Sequence, residues 1–552
     1  MRSKLIFIVF SIGLITFQAK GQTLPVGTPA LSEAYRNAQL LGQIDTTISF
    51  TVLPVFPIKA LNTDHPFDPL NNLGNEKWVK SDSIIHLYKN HGRVQLLPFT
   101  WTQQFNTHNP YSLNDGPMIP ARGYQTMMSG GIFAEIGILN IQLRPEYVYA
   151  ENRNFQGLYK ELPENVWTEY NYFHSVIDFP EKFGDKPYKK LFWGQSSIRL
   201  TAGSVSVGLS NENLWWGPGI KNAMVMSNTA PGFVHITLNT VKPIHTFIGS
   251  FEGQIIGGKL ENSGYQMSAR QNSRYINGFV ITYNPRWIPG LFLGLTRTEI
   301  AYYNDLKTFF DFVPVLTPFF KNQNYSTGES PYPNDQRLSI FSRWLLPKAH
   351  AEIYGEFFRE DHAYDFRDIA LQMEYTHAYL IGLTKLIPII SHPNQFMKFQ
   401  VEYTKIEQNE ANPWRGGGSL YVHYAGVSQG YNNKGQLLGP GIGPGSDLLS
   451  FEFSWIKGLK KIGIEFERFV HNNDFFNTVI IDPRAKWVDL NISAIGQWNW
   501  KNLMFSSKLT FQNAYNYEYY YKPVVTENNS SYWAPGTNTF NFQTQVSMTY
   551  LF

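Results

Sequence analysis

From about Gly92 to Phe552 the chain alternates apolar and polar residues with a period of two, a pattern that only β-strands with two unlike faces can use. Leu139, Ile141 and Leu143 alternate with Asn140, Gln142 and Arg144, and Phe399, Val401 and Tyr403 with Gln400, Glu402 and Thr404. Phe451, Phe453 and Trp455 alternate with Glu452 and Ser454, and Val488, Leu490, Ile492 and Ala494 with Asp489, Asn491 and Ser493. A soluble β-sandwich has the same wet and dry faces. The lengths discriminate: segments of roughly ten residues, joined by connections that are short and long in turn, match a transmembrane barrel.

The short connections fall at Ile136-Gly137, Thr201 to Gly203, Val241 to Pro243, Asn284 to Gly290, Leu346 to Ala349, Ser391 to Gln395, Lys457 to Lys460 and Asn499 to Asn502. The long ones span 107–120, 151–188, 210–231, 259–274, 304–335, 359–376, 409–447, 471–485 and 516–538. Their alternation gives about eighteen antiparallel strands, an even number that returns both ends to the periplasmic side. All long loops then face outward. In the last segment Phe540, Phe542, Val546, Met548, Tyr550 and Phe552 share one face. This strand must pair with the first, because an open edge in lipid leaves backbone groups without partners. Its terminal Phe resembles the signal by which barrel-assembly machinery receives outer-membrane barrels.

Composition agrees. Aromatic residues make up 16% of the chain, as many as the charged residues, which suits girdles at two membrane interfaces. Cysteine is absent, so thiol catalysis, cysteine-ligated metals and disulfides are excluded. Arg2 and Lys4 precede an apolar run from Leu5 to Phe17 and the small-x-small pattern Ala19-Lys20-Gly21, an export signal over residues 1–21. Its removal takes three cations and no acid, leaving 43 of each sign, and a neutral chain is not built for nucleic acid. Thr28 and Pro29 open a helix along Leu31, Ala34, Tyr35, Ala38 and Leu41, ending at Gly42. The expected organisation is a small, partly helical periplasmic segment over 22–90, followed by an all-β transmembrane antiparallel barrel over 91–552 that contacts outer-membrane lipid as a monomer.

The stretch Leu209–Thr237 stands apart. Trp215 and Trp216 meet Gly217-Pro218-Gly219, and a second break at Ala230-Pro231-Gly232 closes the excursion. Between and around the breaks lie Asn211, Glu212, Asn213, Lys221, Asn222 and Asn228. Indole faces with amides and charges suit sugar recognition; the same residues equally suit a rigid corner whose rings fill a cavity. Through Trp215-Trp216-Gly217-Pro218-Gly219 and Ser227-Asn228-Thr229-Ala230-Pro231 the stretch resembles the capsule assembly Wzi family. That resemblance implies an outer-membrane barrel that binds capsular or other surface polysaccharide, with Trp215 and Trp216 stacking and Asn211, Asn213, Lys221, Asn222 and Asn228 making polar contacts. A porin or sugar-uptake pore on the same architecture is the alternative; an anchor calls for a lumen blocked by the N-terminal helix, by in-folded loops, or both.

Catalytic patterns occur only in fragments. Gly426-Val427-Ser428-Gln429-Gly430 fits G-x-S-x-G without a strand before or a helix after it. Gly439-Pro440-Gly441-Ile442-Gly443-Pro444-Gly445 has prolines where phosphate binding needs N–H groups. Glu360, Asp361, His362, Asp365 and Asp368 lack calcium-loop spacing, and His174, His362, His377 and His423 stand singly. No enzyme, cofactor or metal is expected. Trp414-Arg415 in mid-loop reads as a further ligand contact, and Tyr517, Tyr519, Tyr520 and Tyr521 as part of the outer membrane girdle.

Overall fold

The computed structural model describes residues 22–61, 84–87, 92–265, 272–313, 334–360, 363–408, 419–422, 427–522 and 537–552. The export signal, most of 62–91, and Trp414, Arg415 and His423 lie outside the described residues. Among those described, eighteen antiparallel strands close into one barrel. The seam joins Asn538–Tyr550 to Gly92–Asn106, with Gln543 opposite Asn106 and Tyr550 opposite Phe99, and Ile84–Leu87 extends the edge by pairing with 92–95. No edge is left in the wall at the seam, as lipid demands.

The period of two decides what faces where. In Ser197–Ala202 successive residues are buried and exposed in strict alternation, and Arg199 points inward while Ile198 and Leu200 point out. Ile255, Ile281, Ile340, Ile381, Ile464 and Ile492 likewise lie on the outer wall, whereas Arg297, Arg337 and Arg343 are fully buried inside. An apolar exterior and charged interior invert a soluble protein's arrangement and fit a barrel in lipid. Phe247, Trp287 and Trp500 stand exposed near the short turns, the position of an interfacial girdle. No helix among the described residues is long and apolar enough to cross a membrane.

Short turns and long loops segregate to opposite ends as the sequence suggests, with one shift. The chain bends at Val241–Pro243 but pairs again at Ile244–His245, so the turn falls at 246–248. Two neighbouring strands are each interrupted: Leu139–Leu143 gives way to Glu146–Ala150, and Tyr188–Phe192 to Ser197–Ala202. Gly131 makes the interruption possible, since a Cβ there would lie 1.8 Å from the Leu143 carbonyl oxygen.

The lumen is filled by the chain itself. The helix Pro29–Leu40 lies at the short-turn end, which faces the periplasm in outer-membrane barrels. Its Leu40 packs against Phe292, Leu345, Leu386 and Ile456, all close to short turns. Wall side chains grip the segment: Arg343 Nη1 donates to Gln39 Oε1 and to the Ser49 carbonyl, each at 2.8 Å, and Arg36 meets Glu352 at 2.9 Å. At the long-loop end, the helices Glu164–Val176 and Asn473–Val479, inside stretches that read as plain loops, pack around Leu158, Val166, Phe475, Phe476 and Tyr519. Tyr517 and Tyr519 are buried in or beside that cluster, and Tyr520 stacks on Tyr159 at 4.2 Å, so this run belongs to a loop cap and not to the girdle expected of it.

Candidate functional site

The Trp215-Trp216 loop turns into the barrel. Glu212 begins the descent: its carboxylate is fully buried and accepts from Arg199 at 2.6 Å, Ser210 at 2.9 Å and the Thr23 hydroxyl. Burial pushes this carboxyl up, but Arg199 and the hydroxyl donors hold it below the usual range. One acid thereby joins the wall, the loop and the N-terminal segment. Asn213 closes the loop's neck, donating to Asn228 Oδ1 and to the Ala230 carbonyl, both at 2.8 Å.

Beyond the neck, Trp215 and Trp216 pair in antiparallel register with Leu53 and Val52, a two-stranded ribbon inside the barrel. Trp216 is fully buried, and its indole N–H donates to Gln254 Oε1 on the wall at 3.0 Å. The turn at Gly217 has φ +130°, and a Cβ there would approach Glu356 Oε2 to 2.7 Å. The next backbone amides converge on one wall acid: Ile220, Lys221 and Asn222 donate to the Glu402 carboxylate at 2.7, 3.1 and 2.9 Å. Lys221 reaches Glu465 and Glu467; burial alone would lower its pKa, but these carboxylates raise it.

Met224, Val225 and Met226 then form the middle of the largest apolar cluster, with Tyr421, Tyr431, Leu437 and Leu438 from the outer loop above. Ser227 N–H donates to the Leu438 carbonyl at 2.8 Å, Tyr421 hydroxyl to the Met224 carbonyl at 2.9 Å, and Asn228 Nδ2 to the Asn114 carbonyl at 2.8 Å. The loop is the hub on which the N-terminal segment, two outer loops and the wall meet.

This geometry revises the sugar-stacking expectation. Trp216 has both faces covered, and Asn213 and Asn222 are buried with protein partners, Asn222 Nδ2 reaching Thr404 Oγ1 at 3.2 Å. Asn211 bonds the Gly194 carbonyl at 3.0 Å. Of the candidates among the described residues, Trp215, Lys221 and Asn228 line a lumen cavity of about 430 Å³. Its lining includes the hydroxyls of Thr100, Thr102, Ser506, Ser507, Ser547 and Thr549, and charged groups among which Lys398 and Lys461 share Glu33 and Glu452. The reason is composition: amides and indoles that suit a glycan equally suit a polar barrel interior.

The remaining fragments have structural partners. Glu360 accepts from Arg337 and from Tyr421 N–H, and Asp365 caps the helix Phe366–Leu371 through Asp368 N–H at 2.8 Å; Asp361 and His362 lie outside the described residues. His174 bonds the Phe179 carbonyl at 2.7 Å, and His377 the Glu374 carbonyl at 2.5 Å. Among the described residues no group of three His, Asp or Glu is placed to hold a metal ion.

A lipid-facing barrel of eighteen strands whose bore is occupied by its own N-terminus and loops is an occluded outer-membrane β-barrel. The sequence pattern of the capsule assembly protein Wzi family matches residues 121–514, and the chain belongs to that family. Among solved structures it is similar to Wzi of Escherichia coli, described as an outer-membrane protein involved in group 1 capsule assembly and a carbohydrate-binding β-barrel. The TM-score there is 0.59 at 12% identity, covering 96% of this chain and 99% of that one. OccAB4 of Acinetobacter baumannii (TM-score 0.37, 10% identity, 82% and 97% covered) and OpdQ of Pseudomonas aeruginosa (0.38, 8%, 82% and 96%) are more distant. No curated protein sequence matches the chain.

Proposed function

We propose that this barrel binds exported capsular or related surface polysaccharide and holds it at the outer membrane, without covalent chemistry. The observation that carries the reading is the filled lumen in a member of a capsule-assembly family: a bore stopped by Pro29–Leu40 below and by Trp216 in the middle does its work at its mouth. Many weak contacts repeated along a polymer give retention even where one sugar binds poorly. The carbohydrate binding named for the Escherichia coli protein supports the same reading.

Within it, residues 1–21 are removed on export, residues 22–90 supply the periplasmic stopper, and barrel-assembly machinery inserts the chain as a monomer. Trp414 and Arg415 contact polymer from the outer loop at the mouth, while in the inward loop Trp216, Asn211, Asn213 and Asn222 hold the loop in place and Trp215, Lys221 and Asn228 line the lumen cavity behind it. The test is a deletion strain, comparing cell-bound with released polysaccharide. Polymer shed by the deletion and restored by complementation supports attachment; polymer fully retained without the protein overturns it.

A further inference from the structure

We infer that a lysine-lined cleft among the outer loops is a binding site for carboxylate-bearing sugars, so that the polymer this barrel holds is anionic; the inference rests on the polysaccharide-binding reading above. The cleft has a volume of about 360 Å³, within the range of sites for small ligands, and is lined by Tyr188, Lys189, Lys190, Ser263, Tyr265 and Lys434 among others. These residues come from three separate places. Lys189 and Lys190 begin the strand Tyr188–Phe192 just after the loop 151–187, Ser263 and Tyr265 sit in the loop after Leu260, and Lys434 lies at the turn between Asn432–Asn433 and Gln436–Leu437. All are on the long-loop end.

Its charge is unlike that of the lumen. Inside the barrel, Lys221, Lys398, Lys461 and Lys508 each meet two carboxylates. In the cleft, Lys434 pairs with Glu261, while Lys190 finds no acid within ion-pair distance among the described residues; Lys189, its neighbour on the strand, turns to the opposite face with Leu191. The Lys190 ammonium lies instead over the ring of Phe192 at 5.5 Å. In a chain that is otherwise balanced, this is a local surplus of positive charge facing outward.

The frame is rigid. Asn152 Nδ2 donates to the carbonyls of Phe183, Gly184 and Lys186 at 3.0, 2.8 and 3.2 Å, fixing the turn that leads to the lysines. Asp178 accepts from Ser263 N–H at 2.6 Å and from its hydroxyl at 2.5 Å, and Ser263 Oγ accepts from Tyr265 N–H at 2.9 Å. The Tyr265 ring stands edge-on to Phe183 at 5.8 Å and remains 45% exposed. Gly184 and Gly435, with φ of +75° and +83°, sit where a Cβ would meet Tyr265 and Ser263 at 2.8 Å, so two loops close on this spot only because both residues are glycine. Ordered ammonium groups beside an exposed phenol ring suit an acidic pyranose, its carboxylate on the lysines and its C–H face on the ring. Every cation lining the cleft is Lys, without the guanidinium fork that favours bidentate phosphate.

The test uses the full-length folded barrel in detergent with polygalacturonate as acidic probe and dextran as neutral probe. Wild type is expected to bind polygalacturonate in preference to dextran. Lys190→Gln/Lys434→Gln should weaken polygalacturonate at least tenfold while leaving dextran and the heat-modifiable gel shift unchanged; Lys190→Arg/Lys434→Arg should keep most of the binding. Raising salt to 0.5 M should erase the wild-type preference, as for exposed charges. Equal polygalacturonate binding by wild type and the Gln variant overturns the proposal. So does a loss confined to vesicles carrying lipopolysaccharide phosphate, which would mark a lipid site. A deletion strain that sheds polymer while the Gln variant retains it, with polygalacturonate binding intact, removes the cleft and leaves the attachment function standing.

Discussion

The Trp216 indole N–H donates to Gln254 Oε1 at 3.0 Å, while the backbone N–H of the same residue donates to the Met226 carbonyl at 3.1 Å. One residue thus fastens the inward loop both to the barrel wall and to itself, at the depth where the N-terminal ribbon joins it. Trp216→Ala removes a fully buried ring and leaves Gln254 without this donor, a cost of about 3–5 kcal/mol borne by the plug and not by the wall ladder. The variant should still assemble and migrate as a heat-modifiable barrel, yet conduct ions in planar bilayers where wild type stays closed. A closed Trp216 variant would show that the N-terminal helix and the outer loops seal the bore without it.

Glu212 and Arg199 make the second fastening, with side chains 0% and 1% exposed. Removing one partner strands a charge in a dry site, at about 3–5 kcal/mol; replacing both with apolar residues of similar size is far milder. Glu212→Gln should therefore expose the loop 211–234 to limited proteolysis in folded barrels, and Arg199→Met/Glu212→Leu should recover most of the protection. Equal digestion of the single and double variants would assign the loop's hold to its apolar cluster.

How much of this was legible follows from where each signal is written. Strand count, seam and short turns are local: alternation in Val488–Trp500 or Asn538–Tyr550 is set by lipid on one side, and lipid admits few exceptions. The direction of a loop is not local. Glu212 finds Thr23, 189 residues away, and Glu402 collects the amides of Ile220 to Asn222 from about 180 residues away. No pattern within 209–237 distinguishes amides that wait for a sugar from amides that meet a wall. The helix Glu164–Val176 escaped for a related reason: Pro163 at its start offers no side-chain cap, and packing against Asn473–Val479 stabilises it from a distant loop. The tyrosines at 517–519 read as a girdle because positive φ at Asn516, Glu518 and Tyr519, which folds them inward, leaves little trace in sequence.

Gly217 offers a sharper probe than either bulky residue. An added methyl group would meet the Glu356 carboxylate at 2.7 Å and would also force a φ of +130° on an L-residue. Gly443 has φ +80° with nothing within 4 Å of its would-be Cβ. Gly217→Ala should lower thermal stability by about 1–3 kcal/mol beyond any effect of Gly443→Ala, since only the first adds a clash to the strain. Matching melting temperatures for the two variants would show that the loop shifts to admit the methyl group.

Acid should loosen the stopper from below. Glu33 on the N-terminal helix lies between Lys398 and Lys461, 2.7 Å from each, with Glu452 facing the same pair of lysines. Burial pushes its carboxyl up, but the two lysines outweigh that and hold it below its ordinary value of 4.5. A carboxyl whose folded pKa lies below its unfolded one stabilises the folded state fully above the unfolded value, and loses that contribution as pH falls through the folded value. The helix should therefore stay docked from neutral pH down to the carboxyl's ordinary value of 4.5, and release progressively as pH falls below it through the lowered folded value. Release would be read as rising bilayer conductance, or as cleavage within 22–61 by an acid-active protease. Glu33→Gln leaves Lys398 and Lys461 with Glu452 alone; it should weaken docking at pH 7 and flatten the acid response. A Gln variant with wild-type pH dependence would move the acid-sensitive contact away from Glu33.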